Sequence, residues 1–432
     1  MMQNPTLIQN LLDFIQASPT PFHAVEEMAR RLAAAGFQRL EEKQSWQLQK
    51  GQRYFVTRNN SSIIAFIYGE EDIATNGIRM VGAHTDSPCL KVKPNADIYQ
   101  QGYWQLGVEV YGGVLLAPWF DRELALAGRV SFFDGNGSLQ HRLLNIAEPV
   151  GMVPSLAIHL DREANNSRSI NAQKDLPVVM GLYREEQKPV LREWLKTLMN
   201  TQNPAANVAK VLDYELSFYD AQPGRVYGVD DAFVADARLD NLLSCFIGLQ
   251  ALIDANTQQS CLLVCNDHEE VGSASAAGAQ GPMLQHFLQR LLPDAETYAR
   301  TISHSLMISV DNAHALHPNF ADKHDANHGP ALNAGPVIKT NANQRYASNS
   351  ETQAIFRALC DANGIPVQSF VVRSDMACGS TIGPITASEL GVRTLDVGVP
   401  QWAMHSIRET AGTADADYLY RALKAFNALT VV

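Results

Sequence analysis

Hydrophobic and polar positions at the start of the chain follow helical spacing and then strand-like spacing. Apolar residues recur at helical intervals in the first segment, and again between the turn marked by Pro19 and Pro21 and the end of the pattern at Gly36. Three short β-branched or apolar runs follow, YFVTRN, SIIAFIYG and IRMVGAHTD. Polar and glycine-containing turns separate them, so each run predicts a strand. The chain is therefore predicted to begin with two helices and three strands.

The middle of the chain has a different character, because β-type segments dominate it. Between about Val92 and Gly228 they include YWQLGVEVYGGVLL, GRVSFF, SLAIHLD and VLDYELSFYD, with one helix predicted at PVLREWLKTLM. Helical and strand patterns then alternate to the C-terminus, as in RLDNLLSCFIGLQALIDA, SCLLVCND and LMISVDN. Such alternation predicts helices that cover a mainly parallel sheet.

These patterns predict the α/β class and two domains. Residues 1–91 and 229–432 form one discontinuous domain, in which helices cover the sheet. Residues 92–228 form a β-rich domain that is inserted at a surface loop, where insertions are tolerated. A chain of 432 residues is long enough to build both.

Charge and composition exclude several classes of partner. The chain has 34 Lys and Arg against 45 Asp and Glu, and its net charge of −11 repels nucleic acid and anionic membrane surfaces. Its apolar runs are shorter than the ~20 residues that span a bilayer, and the N-terminal segment lacks a basic start and a cleavage site. The six scattered cysteines include no C-x-x-C pair, which predicts buried, reduced thiols. We therefore expect a cytoplasmic protein with neither nucleic-acid nor membrane partners.

Several apolar runs end in side chains that bind metals or carry protons. In open α/β sheets, ligand sites gather beyond the carboxyl ends of the strands. The residues at such positions, with one aspartate near the start of an amphipathic helix, are His84, Asp86, Asp267, His268, Glu269, Glu270, Asp311, His405 and Asp240. Imidazole and carboxylate suit zinc, manganese or cobalt, and two ions that share a carboxylate keep positions open for the water that hydrolysis needs.

Local spacing refines these candidates. His84 and Asp86 are two residues apart, so on a strand they face the same way and the carboxylate can orient the imidazole. Glu269 and Glu270 are adjacent and precede a turn, where one can bind metal while its neighbour faces the water. Each residue alone also has an ordinary structural explanation; Asp240, for example, can interact with a helix dipole for roughly 0.3 to 1 kcal/mol. The accumulation of such residues, rather than any one of them, indicates a metal centre.

Eight motifs occur in an order that matches a known family. They are GAHTDSP, RLDN, NDHEEVGS, AHALHPN, KHDANHGP, IKTNANQRYASN, CGSTIGPI and AMHSIRE. Over nearly its whole length the chain resembles the aspartyl aminopeptidase family of dizinc metallopeptidases. The resemblance implies a catalytic domain with a mixed sheet between helices, an inserted β-rich domain used in oligomer contacts, and a large homo-oligomer built from dimers.

The resemblance also implies two zinc ions in each subunit. His84, Asp240 and Asp311 would hold one ion, and Asp240, Glu270 and His405 would hold the other, so that Asp240 bridges them. These assignments carry the family's ligand pattern onto matching positions of this chain. Manganese or cobalt would suit the same ligands.

Further roles follow from the same resemblance. Glu269 matches the general base, and Asp86 matches the carboxylate that steers the zinc at His84. His159 matches a histidine that reaches the active site of a neighbouring subunit, although from the sequence alone a histidine within a strand of the insert is preferred. Cleavage of N-terminal Asp or Glu from peptides is implied, and Lys339 and Arg373 are the candidate cations for that pocket.

Other interpretations of the sequence remain open. Some members of the family prefer neutral N-terminal residues. A serine or cysteine hydrolase would use Ser380 or Cys378, but the chain lacks the G-x-S-x-G turn. A non-catalytic peptide-binding scaffold is a third interpretation, which the complete ligand set disfavours. Four further histidines are interpreted as structural, since five better ligands suffice: His314, His317, His324 and His328.

Overall fold

The structure is a computed structural model that describes residues 4–430. Residues 1–3, which belong to the N-terminal segment considered above for targeting, lie outside this range. The described chain divides into two compact units. The first unit comprises Met1–Ser87, Gly224–Met404 and Glu409–Val432, and the second comprises Pro88–Pro223 and His405–Arg408. For comparison, the sequence pattern predicted an insert at residues 92–228.

The helices are, in chain order, α1 (Pro5–Ala17), α2 (Pro21–Ala34), α3 (Ile73–Asn76), α4 (Ala172–Asp175), α5 (Leu191–Gln202), α6 (Leu239–Ile253), α7 (Met283–Leu291), α8 (Ala295–Ser303), α9 (Ser350–Ala362), α10 (Ile382–Leu390) and α11 (Thr413–Asn427). The two helices predicted at the N-terminus are α1 and α2. The side chain of Asn4 caps α1 by accepting a hydrogen bond from the Leu7 N–H at 3.1 Å. Among the described residues, no helix combines the length and apolarity that a membrane crossing requires.

The strands are, in chain order, β1 (Gln38–Arg39), β2 (Arg53–Arg58), β3 (Ser62–Ile67), β4 (Ile78–His84), β5 (Cys89–Gln100), β6 (Tyr103–Tyr111), β7 (Leu124–Asp134), β8 (Leu139–Gly151), β9 (Val178–Leu182), β10 (Val208–Asp220), β11 (Arg225–Tyr227), β12 (Phe233–Asp236), β13 (Ser260–Asn266), β14 (Leu306–Val310), β15 (Ala313–His314), β16 (Val337–Lys339), β17 (Gln368–Phe370), β18 (Arg393–Gly398), β19 (Pro400–Trp402) and β20 (Glu409–Gly412).

The first unit is built on a nine-stranded mixed sheet, as expected for the α/β class. Its strand order is β1-β2-β3-β13-β4-β14-β18-β16-β17. The central strands β13, β4, β14 and β18 run parallel to one another, while β3 and β16 pair antiparallel to their neighbours β13 and β18. The carboxyl ends of the four central strands therefore meet at one edge of the sheet.

Alternating side chains of the central strands enter two separate cores, because successive residues of a strand point to opposite faces. On β4, Val81 belongs to a core cluster that also contains residues of α1, α2, α6, α9 and α11, whereas Met80 belongs to another that also contains residues of α7 and α8. Both faces are thus covered by helices, and β3, β4, β13 and β14 are buried along their whole lengths. This double coverage explains why these strands appear in the sequence as continuous apolar runs.

The second unit contains a six-stranded antiparallel sheet in the order β8-β7-β10-β5-β6-β9. Helix α5, which the sequence predicted, packs Leu191, Leu195 and Met199 into the core of this unit. The rings of Trp104 and Trp194 meet edge to face at 6.2 Å between centroids. The unit is therefore β-rich.

One strand prediction in the insert was wrong. The segment SLAIHLD forms an irregular stretch followed by a turn at Ile158–Leu160 rather than a strand. Its alternating apolar residues stay exposed, with Leu156 at 57%, Ile158 at 43% and Leu160 at 75%. Alternation predicts a strand only where one face is buried, and within this chain the segment buries neither face.

Candidate metal centre

The parallel register of the central strands brings the sequence-predicted ligands together. Asn266, which ends β13, is the register partner of His84, which ends β4. Strand β14 is the other parallel neighbour of β4, and Asp311 follows it directly. The segments that follow β4, β13 and β14 therefore leave the sheet side by side, which places their polar side chains at one edge.

The first cluster consists of His84, Asp240 and Asp311. The Nε2 atom of His84 lies 3.4 Å from Asp240 Oδ1 and 3.7 Å from Asp311 Oδ1. Donors about 2.0–2.2 Å from one tetrahedral zinc ion are about 3.3–3.6 Å apart. The distance from His84 to Asp240 falls in this range, and one donor atom from each of the three residues lies within 4.8 Å of the others. All three residues are buried, which suits imidazole and carboxylate ligands that are shielded from water.

A second group of donor atoms shares His84 with the first. One donor atom each from His84, Glu269 and Glu270 lie within 4.8 Å of one another. His405 belongs to the second unit. The Nδ1 atom of His405 lies 3.0 Å from the carbonyl oxygen of Gly113. If Nδ1 donates this bond, Nε2 is the ring nitrogen that is left for a metal.

Asp86 fixes two parts of the centre at once. Its backbone carbonyl oxygen lies 3.0 Å from Nδ1 of His84, and one of its carboxylate oxygens lies 3.4 Å from the same atom, on the side of the ring opposite to the donor cluster. The two carboxylate oxygens also accept hydrogen bonds from the backbone N–H groups of Glu269 and Glu270, both at 3.1 Å. Asp86 is fully buried and therefore orients the imidazole and the glutamate turn together.

The two glutamates lie on a short 3₁₀ turn, Glu269–Val271, that follows β13. His268 enters this turn with a φ of 64°, a backbone conformation that redirects the chain away from the strand. Glu269 Oε2 lies 3.9 Å from His84 Nε2, so its carboxylate stands beside the first cluster. Burial raises the pKa of Glu269 to about 7 despite the opposing effect of His84.

The crowding of carboxylates changes the ionisation of the other groups too. Burial lowers the pKa of His84, but hydrogen bonds to Asp240 and Asp311 outweigh burial and hold that pKa well above its usual range. Burial and the neighbouring Asp240 raise the pKa of Glu270 well above its ordinary value. Without a metal the cluster therefore retains protons, and a divalent cation supplies the positive charge that replaces them.

The two cations proposed for a substrate pocket lie in different surroundings. The Lys339 ammonium is buried, 3.2 Å from Asp311 Oδ2 and 3.3 Å from the carbonyl oxygen of Asn312. Burial would raise the pKa of Asp311, yet Lys339 and His84 hold it well below its usual range. Arg373 pairs with Asp375 at 2.6 Å and lines a cavity of about 320 Å³.

The remaining histidines considered in the sequence make contacts of an ordinary structural kind. The backbone N–H of His317 donates to Nε2 of His324 at 3.2 Å, and Nδ1 of His328 lies 2.6 Å from Asp325. The ring of His314 packs edge to face with Phe370. His159 lies exposed in the turn of the second unit.

The serine considered as an alternative nucleophile is bonded to the backbone. The Ser380 hydroxyl donates to the carbonyl oxygen of Arg345 at 3.2 Å, whereas serine activation requires a hydrogen bond from the hydroxyl to a base. The geometry of this residue thus offers nothing that favours a serine hydrolase.

Two residues with contacts at the centre were not identified from the sequence. Glu409 and Ser87 hydrogen-bond the backbone of Asp240, at 2.8 and 2.6 Å respectively. Both lie inside motifs quoted above, GAHTDSP and AMHSIRE, so the motifs contained them without indicating what they contact.

The fold and the imidazole–carboxylate cluster together define a metallohydrolase. Comparison with known families identifies it further, because residues 14–427 match the family described as aminopeptidase I zinc metalloprotease (M18). The chain belongs to the M18 family, the aspartyl aminopeptidase family, and is a zinc-dependent aminopeptidase. The resemblance inferred from the motifs is confirmed.

Individual relatives agree with this assignment. A probable M18 family aminopeptidase 2 of Ectopseudomonas mendocina is 58% identical over 420 residues, which is 97% of each chain. Among solved structures, Ape4 in its complex with Nbr1 is 38% identical with a TM-score of 0.93, covering 97% of this chain and 85% of that one. The mApe1 dodecamer of S. cerevisiae is 28% identical with a TM-score of 0.84, covering 98% of this chain and 96% of that one.

Proposed function

We propose that this aminopeptidase works with two zinc ions bridged by Asp240. His84, Asp240 and Asp311 would hold one ion, and Asp240, Glu270 and His405 the other. This proposal is supported by the first unit, where one donor atom each from His84, Asp240 and Asp311 lie within 4.8 Å of one another, as do those of His84, Glu269 and Glu270. His405 is assigned by its match to the family's ligand motif. Manganese or cobalt would fit the same donors, which are imidazole and carboxylate without thiolate.

Glu269 and Asp86 have distinct proposed roles in hydrolysis. When bound, two zinc ions at such a site lower the pKa of water and polarise the scissile carbonyl. Glu269 takes the proton of the attacking water at its carboxylate and passes it to the leaving amine. In the metal-free chain, burial raises the pKa of Glu269, which makes its carboxylate a better proton acceptor than an exposed glutamate. Asp86 holds the backbone of Glu269 and so keeps its carboxylate facing the site.

Peptides with N-terminal Asp or Glu are the proposed substrates. Lys339 and Arg373 are the proposed cations of the substrate pocket, and both belong to the first unit. One observation favours the alternative, a preference for neutral residues. Each of these cations already has a carboxylate partner, Asp311 for Lys339 and Asp375 for Arg373, which reduces the charge offered to a substrate.

We further propose a large homo-oligomer built from dimers, in which His159 reaches the active site of a neighbouring subunit. The exposed Leu156, Ile158 and Leu160 flank His159 and form an apolar segment that a second copy would cover. The S. cerevisiae relative with this fold is a dodecamer.

The net charge of −11 disfavours nucleic acid and anionic membranes as partners. Peptides are therefore the expected ligands.

A cytoplasmic location is proposed as well. None of the described cysteines forms a disulfide, as is usual in a reducing compartment.

The proposal is tested by removing the metal and restoring it. Hydrolysis of Asp-, Glu- and Leu-terminated peptides is measured before chelation, after chelation, and after return of zinc, manganese or cobalt. We expect chelation to abolish hydrolysis, because Glu269 alone cannot activate water sufficiently, and metal to restore it with Asp and Glu ahead of Leu.

The Ser380→Ala variant is the matched control and is expected to keep its activity and its chelator sensitivity. Activity that persists after complete metal removal would refute the two-metal proposal. Faster cleavage of the Leu peptide would refute only the acidic preference and favour a neutral pocket.

A further inference from the structure

The residue proposed to bridge the two ions lies on backbone that is not helical. Helix α6 nominally begins at Leu239, but Asp240 has φ −83° and ψ 107°, and Arg238 before it has a φ of 61°. The first backbone bond of helical spacing runs from the Leu242 N–H to the Arg238 carbonyl oxygen at 3.2 Å. The N–H and carbonyl groups of Asp240 thus depend on partners outside the helix.

Two buried side chains supply those partners. A carboxylate oxygen of Glu409 accepts the Asp240 N–H at 2.8 Å, and the Ser87 hydroxyl donates to the Asp240 carbonyl oxygen at 2.6 Å. Glu409 begins β20, and Ser87 lies three residues beyond the end of β4. The peptide groups on either side of the Asp240 side chain are therefore held from two different elements of the first unit.

Two further hydrogen bonds hold the same segment. Asn312, just after β14, donates from Nδ2 to the Leu239 carbonyl oxygen at 2.9 Å. The Nδ2 group of Asn241 donates to the carbonyl oxygen of Val310, which ends β14, at 2.8 Å. The whole segment is fixed to the strand ends that supply the other ligands.

This attachment matters for a carboxylate that has to reach two ions at once. Metal–oxygen bonds at zinc are about 2.0–2.2 Å long, so a backbone shift of a few tenths of an ångström at residue 240 disturbs both bonds. Among the described residues, Glu409 belongs to no group of candidate ligand atoms. Glu409 and Ser87 hydrogen-bond the backbone of Asp240, through which they can position its carboxylate.

We propose that Glu409 and Ser87 are positioning residues that fix the bridging carboxylate of Asp240. The inference rests on the proposed two-metal site and deepens it. Glu409 is only 1% exposed, and a buried carboxyl oxygen that accepts one peptide N–H restricts the position of that peptide.

The test measures zinc affinity, by competition with a chromophoric chelator, in the full-length Glu409→Met, Glu409→Gln and Ser87→Ala variants. Glu409→Met removes the acceptor at similar volume, and it is expected to weaken zinc binding about 10–100-fold, as is usual for residues that orient ligands. Ser87→Ala is expected to act in the same direction. Glu409→Gln keeps an oxygen that accepts the N–H, so its affinity is expected to stay within about threefold of wild type.

Thr410→Val is the control, because Thr410 neighbours Glu409 on β20 and bonds the Tyr227 hydroxyl rather than Asp240. It is expected to bind zinc like the wild type. The melting temperature of each metal-free variant separates loss of affinity from loss of folding.

Wild-type zinc affinity in folded Glu409→Met and Ser87→Ala would overturn the inference, and so would an equal loss in Thr410→Val. If Glu409→Met does not fold, Ser87→Ala decides, and wild-type affinity in that variant overturns the inference. Failure of the two-metal proposal gives a different result, since Asp240→Ala would then keep both zinc ions or lose one ion only.

Discussion

Replacing Glu269 by glutamine is expected to lower kcat for peptide hydrolysis by about 10²–10⁴-fold, the usual contribution of a general base. The amide has the shape of the carboxylate but cannot accept the proton of the attacking water. Because Glu269 is proposed to stand beside the ions rather than to bind them, zinc content should stay unchanged. Steady-state kinetics on an Asp-terminated peptide, with metal analysis of the same sample, measures both quantities.

The matched control is Glu26→Gln, since Glu26 is an exposed glutamate of α2 in the same unit. Its kcat should equal that of the wild type. If Glu269→Gln kept more than about a tenth of the activity, the base would have to be another group. A loss of zinc in this variant would instead mean that Glu269 is a ligand.

Replacing Asp240 by alanine is expected to have the largest effect on metal binding. Removing a shared carboxylate takes one ligand from each proposed ion, whereas removing any other ligand affects one ion only. Bound zinc should fall from two ions per chain to less than one, and kcat/KM should fall by at least about 10³-fold, since metal polarisation contributes several kcal/mol to the transition state.

Asp254→Asn provides the control for this variant. Asp254 follows α6 at its other end and bonds Tyr420 and Gln250, so the change alters the same helix without touching the centre. Retention of two zinc ions by Asp240→Ala would show that the carboxylate does not bridge. Loss of exactly one ion would assign Asp240 to a single site.

Much of the fold follows from residue patterns because the central strands are buried on both faces. Val81 and Met80 enter opposite cores, so β4 is mainly apolar apart from the buried Arg79, and β13 and β14 are mainly apolar as well. Once the strands are identified as parallel, the polar residues that follow them are expected at one edge. His84 and Asp311 were identified by this reasoning alone.

Features that depend on contacts between distant segments did not follow from the pattern. Lys339 lies 3.2 Å from Asp311, although strand β16, which carries it, is separated from β14 by β18 in the sheet. Likewise, Glu409 and Asp240 are 169 positions apart, and no periodicity links a strand-initial glutamate to a helix start. The SLAIHLD segment shows the opposite error, since a local alternation predicted a strand where the chain buries neither face.

Asp240 is proposed to be a ligand of both metal ions in this aminopeptidase. The most direct measurement is a crystal structure of the zinc-loaded protein with anomalous scattering collected at the zinc edge. We predict two peaks about 3.5–4 Å apart with the Asp240 carboxylate between them, as is usual for paired catalytic metals. A single peak, or two peaks without Asp240 between them, would contradict the account.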